Sequence, residues 1–131
     1  MSQNNQSPSA SLAVCSGLSR HPNTSLPLNE ISMIQFDNKE SVITGCDSRL
    51  YRCSMSFNAL QKYLQDSGFS ALFARRAGDT KGPSYLVNRE KAIAIKPKDE
   101  NDTDPATLIV EGTRDLFQAP CTYKTFIEAQ P

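Results

Sequence analysis

The chain of 131 residues has a single histidine, His21, and no two of its cysteines stand at C-x-x-C spacing. Zinc is held by thiolates and imidazoles clustered at short spacing, so the scattered Cys15, Cys46, Cys53 and Cys121 predict no structural metal. General acid–base chemistry draws on a histidine or on paired carboxylates in a pocket, and His21 lies in a polar N-terminal stretch. There is no Walker-type phosphate loop and no G-x-G-x-x-G, and no base can be identified beside any cysteine. The expectation is a protein that is not an enzyme and needs no cofactor. The acidic segment Asp99 to Asp104 does not make a calcium loop. An EF-hand requires Gly at its sixth position and Glu at its twelfth, where this chain has Asp104 and Val110.

Long hydrophobic runs are also missing. None approaches the roughly 18 residues that a membrane-crossing helix needs. Leu12-Ala13-Val14-Cys15 has the outline of a lipoprotein cleavage site, but no Lys or Arg precedes it and Val14 is bulkier than the small residue required there. Without a signal, scattered cysteines read as reduced thiols filling a core, and the expected compartment is the cytoplasm.

Net charge is zero, yet the charges are unevenly placed. Arg49 to Lys96 holds nine Lys or Arg against three Asp or Glu, and from Pro97 onward the count is three against seven. Such asymmetry can give a neutral protein a basic face suited to a phosphate backbone.

Residues 1–29 are rich in Ser, Asn, Gln and Pro without sustained periodicity, and are expected to form a flexible N-terminal tail. From Ile31 the texture changes. Ile31 to Phe36, Ser41 to Cys46 and Arg49 to Cys53 are short β-prone runs, with Asp37-Asn38-Lys39 and Asp47-Ser48 between them as turns. Phe57 to Asp66 switches to helical period. Phe57, Leu60 and Leu64 share one face, Ser56 is placed to cap the start, and Gly68 to end it. Strand character returns at Ser70 to Arg75, at Tyr85 to Asn88, and at Ala92 to Lys96, where Ile93 and Ile95 read as a buried strand face. Leu108 to Val110 and Leu116 to Gln118 form a closing hairpin, and a short helix from Pro120 would bury Tyr123, Phe126 and Ile127. The predicted fold class is mainly β: antiparallel strands, one helix after the third strand and a short C-terminal helix, in one binding domain over 30–128. Strand and helix do not alternate, which disfavours a parallel sheet.

Ser84-Tyr85-Leu86-Val87-Asn88, followed by Ile93 and Ile95, resembles the most characteristic stretch of LytTR-type DNA-binding domains. Ile31 to Phe36 is similar to that family's first strand, Phe73-Ala74-Arg75 to its aromatic-x-Arg strand, and Leu108 to Gly112 with Phe117 to Phe126 to its closing hairpin and tail. Two departures stand out. Roughly five residues are added within Arg76 to Pro83, with Pro83 in a position that is usually polar. Ala119 and Cys121 replace the family's Ser-x-Arg, leaving Lys124 further along. The resemblance implies a mainly antiparallel domain that reaches duplex DNA with loops at strand ends, as a transcriptional regulator does.

The residues themselves offer candidates for that work. Arg75, Arg76 and Lys81 bracket a glycine-containing loop, where backbone can approach a phosphate and arginine forks can take two acceptors on a guanine edge. Arg49, Arg52, Arg89 and Lys124 are candidate backbone grips, which position a protein without reading sequence. Asn88 is expected to anchor its own turn, with Tyr85 and Val87 in the core. Zero net charge, the missing family arginine and the inserted loop motivate an alternative: a protein-interaction module, inhibitor or adaptor, that has lost its DNA contacts. Either reading is compatible with a homodimer and with no membrane partner.

Overall fold

The computed structural model describes residues 10–36, 40–78, 84–99 and 101–129. Among them the architecture is mainly β, with ten strands in one antiparallel sheet and two helices. In chain order these are β1 Ser11–Ser16, β2 Thr24–Pro27, β3 Ile31–Phe36, β4 Ser41–Gly45, β5 Leu50–Cys53, α1 Phe57–Asp66, β6 Ala71–Arg76, β7 Ser84–Asn88, β8 Ala92–Ala94, β9 Pro105–Val110, β10 Leu116–Thr122 and α2 Tyr123–Glu128. The spatial order is β2-β1-β5-β4-β3-β7-β6-β10-β9-β8. The expected turn at Asp37-Asn38-Lys39 lies outside the described residues.

One expectation is overturned at the N-terminus. Residues 10–29 are not a tail: β1 and β2 form a hairpin, Leu12 facing Leu26 in register, and β1 adds to β5 through Cys15 and Arg52. Leu12, Val14, Leu26 and Leu28 are buried with Ile31, Ile43 and Tyr51, and that burial stabilises a segment otherwise rich in polar residues. Asn23 accepts from the Ser16 backbone N–H at 2.9 Å and Tyr63 donates to the Ser11 carbonyl, so both ends of β1 are tied.

The alternation of side chains along β7 explains why the domain has two cores. Leu86 points to one face, where it packs with Ile34, Ile43 and the buried Leu60 and Leu64 of α1. Tyr85 and Val87 point to the other, against Ala74, Leu108, Phe117 and the fully buried Phe126 of α2. Helix α1 forms as its sequence requires, with the Ser56 hydroxyl accepting from the Ala59 N–H at 3.2 Å and Gly68 taking φ +80 just beyond the last turn. Asn88 is buried. It accepts from Glu90 N–H at 3.0 Å and donates to the Ile31 carbonyl at 2.8 Å, anchoring its turn to β3.

Strands β8 to β10 curl over the second core. Ser32, buried in β3, donates to the Glu111 carbonyl, and the Ser48 hydroxyl donates to the Gly112 carbonyl at 2.9 Å. The β9–β10 turn therefore sits on the β4–β5 turn, and Gly112 adopts φ +86 there. The curl also reverses one sequence expectation. Ala92 and Ala94 face the core beneath α2, while Ile93 is 69% exposed and Ile95 41%. Small residues let the helix approach, so the isoleucines are left on the outer face. Ile127 is likewise exposed, whereas Tyr123 is half-buried.

Candidate nucleic-acid interface

Arg75 and Arg76 are neighbours at the end of β6, and a strand sends neighbours to opposite faces. Arg75 stands directly across from Gln118 of β10 on one side and Ser84 of β7 on the other. All three are exposed. Together with Pro105, Phe73 and Pro120 they border a depression of about 290 Å³ on the outer face of the curl. Arg76 goes the other way. Its guanidinium lies 5.9 Å over the Tyr85 ring, donates to the Tyr85 hydroxyl at 3.2 Å and pairs with Asp115 at 3.3 Å. Tyr85 in turn meets Phe117 edge-on at 5.4 Å, so Arg76 closes one end of the second core. The expectation that both arginines share one contact surface is corrected by this alternation. Lys81 and Pro83 lie outside the described residues.

Two further candidates make contacts within the fold. Arg52 donates to the carbonyls of Gly17 and Ser19, at 2.8 and 2.7 Å, and so holds the β1–β2 connection against β5. Arg89 lies 4.7 Å over the Phe126 ring and donates to the Phe126 carbonyl at 3.1 Å. That stacking fastens α2 onto the turn after β7. Arg49 remains exposed, with Asp47 at 3.7 Å, a pairing that solvent screening leaves weak.

Lys124 projects from α2 beside a second depression of about 290 Å³, which it shares with Lys96, Pro97, Tyr123, Asp102 and Glu128. A smaller hollow of about 110 Å³ between the two depressions shares Pro105 with the first and Pro97, Asp102 and Tyr123 with the second. The surface track thus runs from Arg75, Ser84 and Gln118 past Thr107 to Lys96 and Lys124, with Asp102 and Asp104 beside its middle. Gln118 and Lys96 did not stand out in the sequence. Lys96 differs from neighbouring lysines in nothing that its sequence position reveals, and Gln118 gains meaning only from the β6–β10 register.

At the two positions where the LytTR resemblance expects Ser and Arg, Ala119 is buried and Cys121 half-buried. Burial pushes the Cys53 thiol above its usual range, which makes it a poor nucleophile. Among the described residues no three His, Cys, Asp or Glu side chains gather as metal ligands would, and no helix is long and apolar enough to cross a membrane. Comparison with protein-family models, with curated proteins and with solved structures finds no match.

Proposed function

We propose that this domain binds duplex DNA as a transcriptional regulator, through the surface track that begins at Arg75, Ser84 and Gln118. The observation that carries the reading is the direct cross-strand placement of Gln118 beside Arg75. A guanidinium fork and a side-chain amide are the groups that take guanine and adenine edges in the major groove, and here they stand side by side on an exposed sheet surface. The strand order adds support. Ser84, the first residue of the stretch that carries the LytTR resemblance, and Gln118 of β10 both flank Arg75 because β6 lies between β7 and β10. Lys96 and Lys124 at the far end of the track would grip phosphates. Arg52, Arg76 and Arg89 hold the fold and are not part of the proposed surface.

The test is binding of the whole chain to a random-sequence duplex pool across a salt series. Each neutralised phosphate steepens the dependence of log affinity on log salt by about 0.9. Arg75→Ala is expected to weaken binding and relax the sequence preference selected from the pool, Lys124→Ala to flatten that slope, and Arg76→Ala to change neither. Absence of duplex binding at low salt refutes the reading.

A second reading, a protein-interaction module that has lost DNA contacts, is favoured by Asp102, Asp104 and Glu128 along the same track, which repel a polyanion. It predicts no duplex binding at low salt and a protein partner whose capture is lost on deleting 77–83.

A further inference from the structure

The depression beside Arg75 lies where the sheet is irregular, and the irregularity has a cause in the sequence. Pro120 has no N–H to give to a ladder, and the β9–β10 register shifts between Gln118 and Thr122, the stretch that contains it. Across that shift the three residues 119–121 of β10 stand against the single Ala106 of β9. Extra residues at such a bulge bend the strand and re-aim its side chains, as happens often beside binding sites. The hollow of about 290 Å³ opens there.

Its lining divides by chemistry. Strands β6 and β10 run antiparallel with Arg75 across from Gln118. Phe73, two residues before Arg75, and Pro120, two after Gln118, therefore lie on the same face and to the same side of that pair. Pro105 joins them from β9, and these three side chains give the hollow an apolar end of flat rings, with Phe73 38% exposed. Arg75, Gln118 and Ser84 give it a polar end. Among the described residues the lining includes one guanidinium and no carboxylate, whereas the two hollows nearer α2 include two carboxylates each. Ring surfaces at one end and donors at the other suit a planar heterocycle whose edge is rich in acceptors.

We infer that the hollow binds a guanine ring presented outside a duplex, with Phe73, Pro105 and Pro120 against its body and Arg75 and Gln118 on its edge. Guanine carries N7 and O6 as adjacent acceptors, which an arginine fork takes together. The N1–H follows O6 round the ring and is a donor, for which the Gln118 side-chain carbonyl is the acceptor. Directly opposite side chains on paired strands stand about 5 Å apart at Cβ, so the two can reach neighbouring positions on one edge. An arginine has five N–H donors, so a contact of Arg75 within the protein leaves donors for the ring. Adenine presents an amino group where guanine presents O6, which sets donor against donor. The hollow is just below the roughly 300–1,000 Å³ of small-molecule pockets, a size that suits a single ring system.

Titration calorimetry of the whole chain with guanosine monophosphate tests the site, with an expected dissociation constant of about 0.1–1 mM. A short oligothymidylate carrying one internal guanine, compared with the all-thymine strand, tests the same ring in a chain. Binding of the mononucleotide identifies a free nucleotide as the source, and a guanine effect in the strand alone identifies an unpaired base. Adenosine monophosphate should bind about tenfold more weakly, and inorganic phosphate should not displace the guanine nucleotide. Phe73→Ala and Gln118→Ala should each weaken binding about tenfold, with circular dichroism unchanged because both side chains are exposed. Equal affinity for the two nucleotides, displacement by phosphate, full binding by Gln118→Ala, or no guanine-dependent binding in either arm overturns the inference. The site shares Arg75, Ser84 and Gln118 with the proposed duplex surface, yet the two fail separately. Guanine binding without duplex binding leaves the site intact, and duplex binding without guanine binding removes it.

Discussion

The docking of the β9–β10 turn on the β4–β5 turn can be measured with one added methyl group. A Cβ built on Gly112 would lie 2.6 Å from the Gly45 carbonyl oxygen and 3.0 Å from that of Cys46, both backbone atoms unable to swing aside. Gly112 also sits at φ +86, where an L-residue is strained by about 1–2 kcal/mol. Forcing a methyl group into packed surroundings adds about 1–3 kcal/mol. The cost of Gly112→Ala should therefore be about 2–5 kcal/mol. Gly68 supplies the control. Its φ is +80, and a Cβ there meets nothing within 4 Å among the described residues, so Gly68→Ala carries the conformational term alone, about 1–2 kcal/mol. In urea, with a slope of about 1.5 kcal/mol per molar, the midpoint should fall by about 2 M for Gly112→Ala and about 1 M for Gly68→Ala. Equal shifts would show that the two turns do not touch, and the curl over the second core would lose its main support.

Val14→Ala and Leu26→Ala should each cost about 1–4 kcal/mol in the same denaturation assay, since both side chains are buried; a flexible segment would register nothing. Arg89→Leu should lower stability by about 1–3 kcal/mol and raise hydrogen exchange in α2, because stacking on Phe126 and the bond to its carbonyl are both lost. Exchange in α2 that stays at the wild-type rate would detach Arg89 from that role. The Cys53 thiol is raised chiefly by burial, so the unfolded chain loses this proton at lower pH than the folded one. Its contribution to stability should be complete below the ordinary thiol value of about 8.5 and decline as pH rises further. Cys53→Ala should remove that alkaline decline from a pH series of urea midpoints.

Local signals made much of this fold legible. Helix α1 was readable because its apolar period, the Ser56 cap and Gly68 all agree within a dozen residues. The strands from β3 onward were readable for the same reason, short β-branched runs set apart by polar turns. What escaped depends on contacts distant in the chain. Leu12, Val14 and Leu26 are few and set among serines and asparagines, and only β5 gives them a reason to order. The alternation at 92–95 was visible, but a period of two names two faces without saying which is covered. That is decided by α2, some thirty residues later. The split between Arg75 and Arg76 was implicit in strand geometry, whereas the placement of Gln118 beside Arg75 required a register that no local pattern encodes.

Strand β1 lies beside β5, not beside β3, and this has a consequence during synthesis. The hairpin formed by the earliest strands leaves the ribosome before its partner strand exists. Between Pro27, the end of the hairpin, and Cys53 there are 25 residues, about 1–5 s of translation at roughly 5–20 residues per second. Throughout that interval Leu12, Val14 and Leu26 have no core to enter, and a two-stranded hairpin by itself is marginal in water. Nascent chains stalled before β5 should engage chaperones through this segment and release them once Cys53 has emerged.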